Sequence, residues 1–133
     1  MAAQDKKTGS VLFAHGSSVE GANDSVRKLA RQIRGSGPYV FVREAFLELA
    51  RPDLGAALAE AAAAGLERVV IIPFFLTLGI HLRRDLPRLI ELHKSKHPGL
   101  EVEVGQSLEG HPQMPSIILG RVREALGELE AAR

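Results

Sequence analysis

Two periods of hydrophobicity alternate along this chain, and together they predict four strand–helix units. A short apolar run, Val11 to Ala14, reads as a strand. It is followed by the turn Gly16-Ser17-Ser18 and then by Val26, Leu29, Ala30 and Ile33, spaced as on one face of a helix. Gly35-Ser36-Gly37-Pro38 ends that helix, because glycine and proline both oppose helical continuation. Tyr39 to Leu47, rich in aromatic and β-branched residues, predicts a second strand. Pro52 and Asp53 open the next helix, with Asp53 as its cap, Leu54, Leu58 and Ala61 or Ala62 on one face, and Gly65 at its end.

Arg68 to Phe75 is an almost unbroken apolar run, the pattern of a strand covered on both faces. Leu82, Leu86, Leu89 and Ile90 mark a third helix in which Pro87 fits only the first turn. His97-Pro98-Gly99 terminates it. Leu100 to Gly105 makes a fourth strand, and Pro112 or Pro115 starts a last helix carrying Ile117, Ile118, Val122, Leu126 and Leu129. Strands alternating with helices imply right-handed crossovers. The predicted fold class is α/β, a four-stranded parallel sheet flanked by helices on both faces. It forms one domain over residues 1–133, with 1–9 as a flexible N-terminus.

Composition narrows the chemistry. A chain of 133 residues can bury roughly two thirds of its unfolded surface in a single core. A net charge of +1 gives no basis for general binding to nucleic acid or to a membrane surface, so attraction for an anionic partner must be local. Cysteine is absent, which excludes disulfides, thiolate zinc sites and iron–sulfur clusters carried by this chain. The polar stretch Met1 to Ser10 lacks the apolar core of a signal peptide, and no apolar run approaches the ~20 residues of a membrane span. A cytoplasmic location is the expectation.

Two histidines lie just past apolar strands: His15, after Val11 to Ala14, and His81, after the run that ends at Phe75 and the loop Leu76-Thr77-Leu78-Gly79-Ile80. In a parallel sheet, strand ends share one edge, and ligands bind there. Imidazoles at that edge suit a borderline metal or proton transfer. Gly16 allows close backbone approach, and Ser17 and Ser18 can cap a helix whose free N–H groups attract anions. A helix start at His81 favours the neutral ring that ligation or general-base work requires. Glu48, at the end of the second strand, reaches the same edge and adds a carboxylate. Arg83, Arg84 and Arg88 form a basic cluster able to pair with substrate carboxylates. His93 and His97 share a helix turn, but the neighbouring Lys94 and Lys96 disfavour a cation between them.

These motifs, taken in order, resemble the small single-domain sirohydrochlorin chelatases of the class II chelatase family. The resemblance rests on Ala14-His15-Gly16-Ser17, on Ala45-Phe46-Leu47-Glu48 followed by Arg51-Pro52, on Ile72-Pro73-Phe74-Phe75-Leu76 running into Gly79-Ile80-His81, and on Arg84-Asp85-Leu86-Pro87. It implies a chelatase-like half-unit that inserts a divalent metal into sirohydrochlorin, an anionic tetrapyrrole, in cobalamin or sirohaem biosynthesis. It implies Co²⁺ first, Fe²⁺ next and Ni²⁺ in relatives, with no organic cofactor. By the same resemblance His15 and His81 bind metal and assist deprotonation, Glu48 joins them, and Gly16, Ser17, Arg83 and Arg84 hold the substrate. Longer members carry two copies of the unit, which implies a homodimer here. Ser18 replaces an arginine frequent in the family, and Ser107-Leu108-Glu109 replaces a Pro-Leu-Gly run before His111, which is given no catalytic role. Two other readings compete: a non-catalytic metal or tetrapyrrole carrier, and a histidine phosphatase, which needs an arginine where Ala14 stands.

Overall fold

The computed structural model describes residues 6–128. Strands β1 (Thr8–Ala14), β2 (Val42–Phe46), β3 (Arg68–Pro73) and β4 (Glu101–Val104) form one parallel sheet in the order β2-β1-β3-β4. Helices α1 (Glu20–Ser36), α2 (Leu54–Ala63), α3 (Ile80–Lys94) and α4 (Met114–Ala125) follow the strands in turn. The chain passes from β1 to the edge strand β2, then back across β1 to β3 and on to β4. With right-handed crossovers, that reversal puts α1 on one face and α2 and α3 on the other.

Strand residues alternate between the two faces. Val11 and Phe13 of β1, Ala45 of β2, Val69 and Ile71 of β3 and Val102 of β4 meet Leu54, Ala57, Leu58 and Ala61 of α2 and Leu86 and Ile90 of α3 in one buried cluster. Leu12, Ala14, Glu44 and Phe46 lie on the α1 face. Helix α2 starts where Asp53 accepts a hydrogen bond from the Ala56 N–H at 2.8 Å, as its capping role requires.

Several boundaries differ from the sequence expectation. Strand β1 begins at Thr8, inside the stretch read as a flexible N-terminus, because Thr8, Gly9 and Ser10 pair with Arg68, Val69 and Val70. Residues 1–5 and Leu129 lie outside the described residues. Strand β2 is shorter than Tyr39 to Leu47, since its pairing with β1 starts at Ser10 opposite Val42, and Tyr39 and Val40 are exposed. Strand β3 stops at Pro73. Pro87 sits in the interior of α3, not its first turn; the helix continues past it although the Arg83 carbonyl receives no N–H from a proline.

Ser17 and Ser18 do not cap α1. Its N-cap position is Val19, with no side-chain cap, and the Ser17 hydroxyl instead accepts from the Val19 N–H at 3.0 Å. Coverage of the sheet is also unequal. Val69, Ile71 and Pro73 are buried, but Val70 and Ile72 on the other face are only half-buried. Helix α4 contributes no buried residue, and Ile117, Ile118, Leu119, Val122 and Leu126 are exposed. No helix among the described residues is long and apolar enough to cross a membrane.

Candidate functional site

Ligands of open α/β sheets bind at the carboxyl edge where successive connections leave for opposite faces. Here that point lies between β1, which leads into α1, and β3, which leads into α3. These are the two strands that precede His15 and His81.

His15 and Glu48 are brought together by parallel pairing that continues past the strands. Ala14 is in register with Phe46, the Leu47 N–H donates to the Ala14 carbonyl at 2.8 Å, and the Glu48 N–H donates to the His15 carbonyl at 3.0 Å. The side chains then meet directly, His15 Nε2 lying 2.9 Å from Glu48 Oε1. Both are about half exposed, 53% and 56%, so an incoming ion can reach them. An ionised carboxylate can only accept, so it holds the imidazole proton on Nε2 and leaves the lone pair on Nδ1. Phe75, on the loop after β3, sets its ring edge-on to His15 with centroids 6.4 Å apart. The exits of β1, β2 and β3 therefore all support one imidazole.

Gly16 makes this closeness possible. Its φ of +91° lies in the left-handed region, and a Cβ there would overlap the Glu48 carbonyl oxygen. The loop beyond Glu48 turns sharply, with Leu49 at φ 65° and a cis Arg51–Pro52 bond, and returns so that the Phe46 N–H donates to the Pro52 carbonyl at 2.8 Å.

Asn23 clasps the other side of the His15 loop. It is almost fully buried, accepts from the Ser17 N–H at 2.9 Å, and donates to the Ser17 carbonyl at 2.8 Å and to Glu20 at 3.1 Å. Glu20 is in turn bonded by Arg27, which with Asn23 holds its carboxyl below the usual range. The sequence expectation missed Asn23. Its signal was present, since position 23 continues the stripe of Val26, Ala30 and Ile33, and a polar residue in a buried stripe needs partners. Asn23→Ala should leave the Ser17 peptide unsatisfied and destabilise the fold by about 1–3 kcal/mol, read as a lower urea midpoint at unchanged m-value.

His81 is the second residue of α3 and is exposed. Its Nδ1 lies 3.2 Å from an Arg84 guanidinium nitrogen. Guanidinium only donates, so Nδ1 is the acceptor and a neutral ring carries its proton on Nε2. Among the described residues no three His, Asp or Glu side chains are gathered closely enough to hold a metal ion. The structure thus joins His15 to Glu48, and places His81 past β3 without joining it to them.

Arg83 is committed elsewhere, bonding the Leu78 carbonyl at 2.9 Å and Glu109 at 2.8 Å. Glu109 also accepts from the Leu78 N–H at 3.2 Å, so this pair ties the loop after β3 to the loop after β4. His111 closes a local turn, its Nδ1 accepting the Gln113 N–H at 3.1 Å. His93 packs against Gly55 of α2, and partial burial pushes its pKa down, with Lys96 adding to the effect.

Comparison with known proteins identifies the family and the fold. Residues 9–125 match the CbiX family. A sirohydrochlorin cobaltochelatase of Methanopyrus kandleri is 29% identical over 138 residues, covering 89% of this chain and 96% of the relative. One from Saccharolobus solfataricus is 30% identical over 122 residues, covering 87% and 94%. The crystal structure of a CbiX protein from Marinobacter aquaeolei VT8 superposes with a TM-score of 0.81 at 30% identity, over 92% of this chain and 99% of that one. SirB from Bacillus subtilis, solved with Fe³⁺, has the same fold at a TM-score of 0.81 and 18% identity, this chain spanning 47% of its length. By the match across nearly its whole length, the chain belongs to the CbiX family.

Proposed function

We propose that this protein inserts a divalent metal ion into sirohydrochlorin, with cobalt as the first candidate ion and ferrous iron the second. The observation that carries the reading is the half-exposed His15–Glu48 pair at the switch point of the sheet. The names of the similar cobaltochelatases supply the substrate.

Insertion exchanges one hydrated M²⁺ for two pyrrole N–H protons. His15 replaces a lost water of the ion through Nδ1, while Glu48 keeps the ring oriented and raises its basicity. As the metal–nitrogen bonds form, the two released protons pass to imidazole or to Glu48 and then to solvent. His81 serves as the second ligand and acceptor once its Nδ1 leaves Arg84. The test is metallation of purified sirohydrochlorin, followed by absorbance with Co²⁺, Fe²⁺ and Ni²⁺ under anaerobic conditions. Acceleration over the uncatalysed rate supports the enzyme; tight binding of metal and macrocycle without acceleration identifies a carrier instead.

The active form is proposed to be a homodimer acting in the cytoplasm. The support is α4 with its C-cap: Ile117, Ile118, Leu119, Val122 and the cap residue Leu126 lie exposed, a concentration of apolar surface that marks an interaction face. Light scattering should give twice the chain mass, and Ile118→Asp should shift it toward the monomer. A wild-type monomer with full activity removes the dimer from the proposal.

A further inference from the structure

Along the free edge of β2 runs a groove of about 1150 Å³, bounded by α1, α2 and the loop of residues 47–53, and Glu48 stands at its upper end. Five arginines line it: Arg27, Arg31 and Arg34 from α1, Arg43 from β2 and Arg51 from the loop. Two are already satisfied. Arg43 bonds Glu44 at 3.0 Å and Glu60 at 3.1 Å. Arg27 bonds Asp24 at 2.7 Å and Glu20, reaches the Arg51 carbonyl at 3.1 Å, and lies 5.3 Å over the ring of Phe46. The other three, Arg31, Arg34 and Arg51, are exposed and have no ion-pair partner among the described residues. Arg83 and Arg84, beside His81, are by contrast bonded to Glu109 and to Asp85 and His81.

From this contrast we infer that the β2-edge groove, through Arg51, Arg31 and Arg34, is an anion subsite that holds peripheral carboxylates of the macrocycle being metallated. The inference rests on the proposed substrate being a polycarboxylate ring. Guanidinium groups match carboxylates bidentately, and those free of an internal partner gain most from an external one. Position agrees with this role. Arg51 follows Glu48 by three residues, so a ring centred near His15 can turn a side chain into the groove mouth. Arg31 and Arg34 extend the same polar wall along α1, where other carboxylate arms can follow. Exposed pairs are individually weak and screened by salt, so several must act together.

The experiment titrates sirohydrochlorin into wild type, the Arg31→Ala/Arg34→Ala/Arg51→Ala variant, its triple Lys counterpart, and Lys94→Ala, exposed at the end of α3 and outside the groove, as control. Binding is read by quenching of macrocycle fluorescence without metal, and metallation is measured in parallel. The triple Ala variant should bind ~10–100-fold more weakly and show a raised KM for macrocycle at unchanged kcat and unchanged KM for cobalt. Its affinity should lose most of its dependence on NaCl concentration. Lys at the three positions should restore part of the affinity, and Lys94→Ala should match wild type. If wild type binds and turns over while the triple Ala variant binds equally well with the same salt slope, the groove is overturned and the chelatase reading stands. Arginine-dependent binding without any acceleration supports the groove and overturns the enzyme. Absence of binding to wild type overturns both.

Discussion

His15→Ala should lower kcat for cobalt insertion by about 10²–10⁴-fold, the range lost when a positioned acid–base group is removed. Glu48 alone does not replace it. Glu48 is positioned through His15 and can accept a proton, but a carboxylate alone lacks the neutral lone pair that competes for a borderline ion near neutral pH. The fold should survive, because the side chain is half exposed and its backbone bond to Glu48 does not depend on it. Glu48→Gln separates the two roles. An amide still accepts from Nε2 and preserves orientation, but it carries no charge, so a milder loss of about 10–100-fold is expected. Steady-state metallation followed by absorbance, with circular dichroism to check the fold, measures both. An unchanged rate in His15→Ala would remove the imidazole from the chemistry.

Gly16→Ala should be the most damaging glycine-to-alanine change in the protein. At φ +91° an L-residue costs about 1–2 kcal/mol from the backbone alone. The added Cβ would also overlap the Glu48 carbonyl oxygen, a backbone atom that cannot rotate away, so the exits of β1 and β2 must part. Overpacking adds about 1–3 kcal/mol, for a total of roughly 2–5 kcal/mol. For a domain of this size, thermal unfolding should move down by roughly 7–18 °C. Activity should fall further than stability, because the displacement acts on the segment that holds Glu48 against His15. Restored stability in a stabilised background, with activity still lost, would confirm that Gly16 sets the site geometry. Full activity at normal Tm would show that the loop adapts.

Hydrophobic period carried much of the architecture. Each helix and strand could be located from it because local spacing alone decides which faces are apolar. Parallel order followed, since alternating strands and helices leave few chain paths. Element ends were less legible. Thr8 to Ser10 read as a polar tail because pairing with β3, joined at Ser10 by β2, makes them strand, and side-chain hydrophobicity does not. Pro87 looked like a helix opener because local propensity says nothing of Leu86 and Ile90, which are anchored in the core on either side of it.

At the site, residue types were readable and partnerships were not. A histidine, glycine and glutamate near strand ends signalled chemistry, because the strand ends of a parallel sheet share the edge where ligands bind. Which groups meet is a matter of lateral order in the sheet, which no linear pattern encodes. Strand β2 lies beside β1, and that adjacency delivers Glu48 to His15. The burial of Asn23 under the His15 loop likewise arises only when α1 packs on the sheet. The same packing divides the arginines. Arg83 and Arg84 stand beside His81 in the linear order, yet folding supplies them with partners and leaves Arg31, Arg34 and Arg51 facing an open groove. Charge can be counted along a chain, but whether a cation is already neutralised depends on what the fold sets within a few ångströms of it.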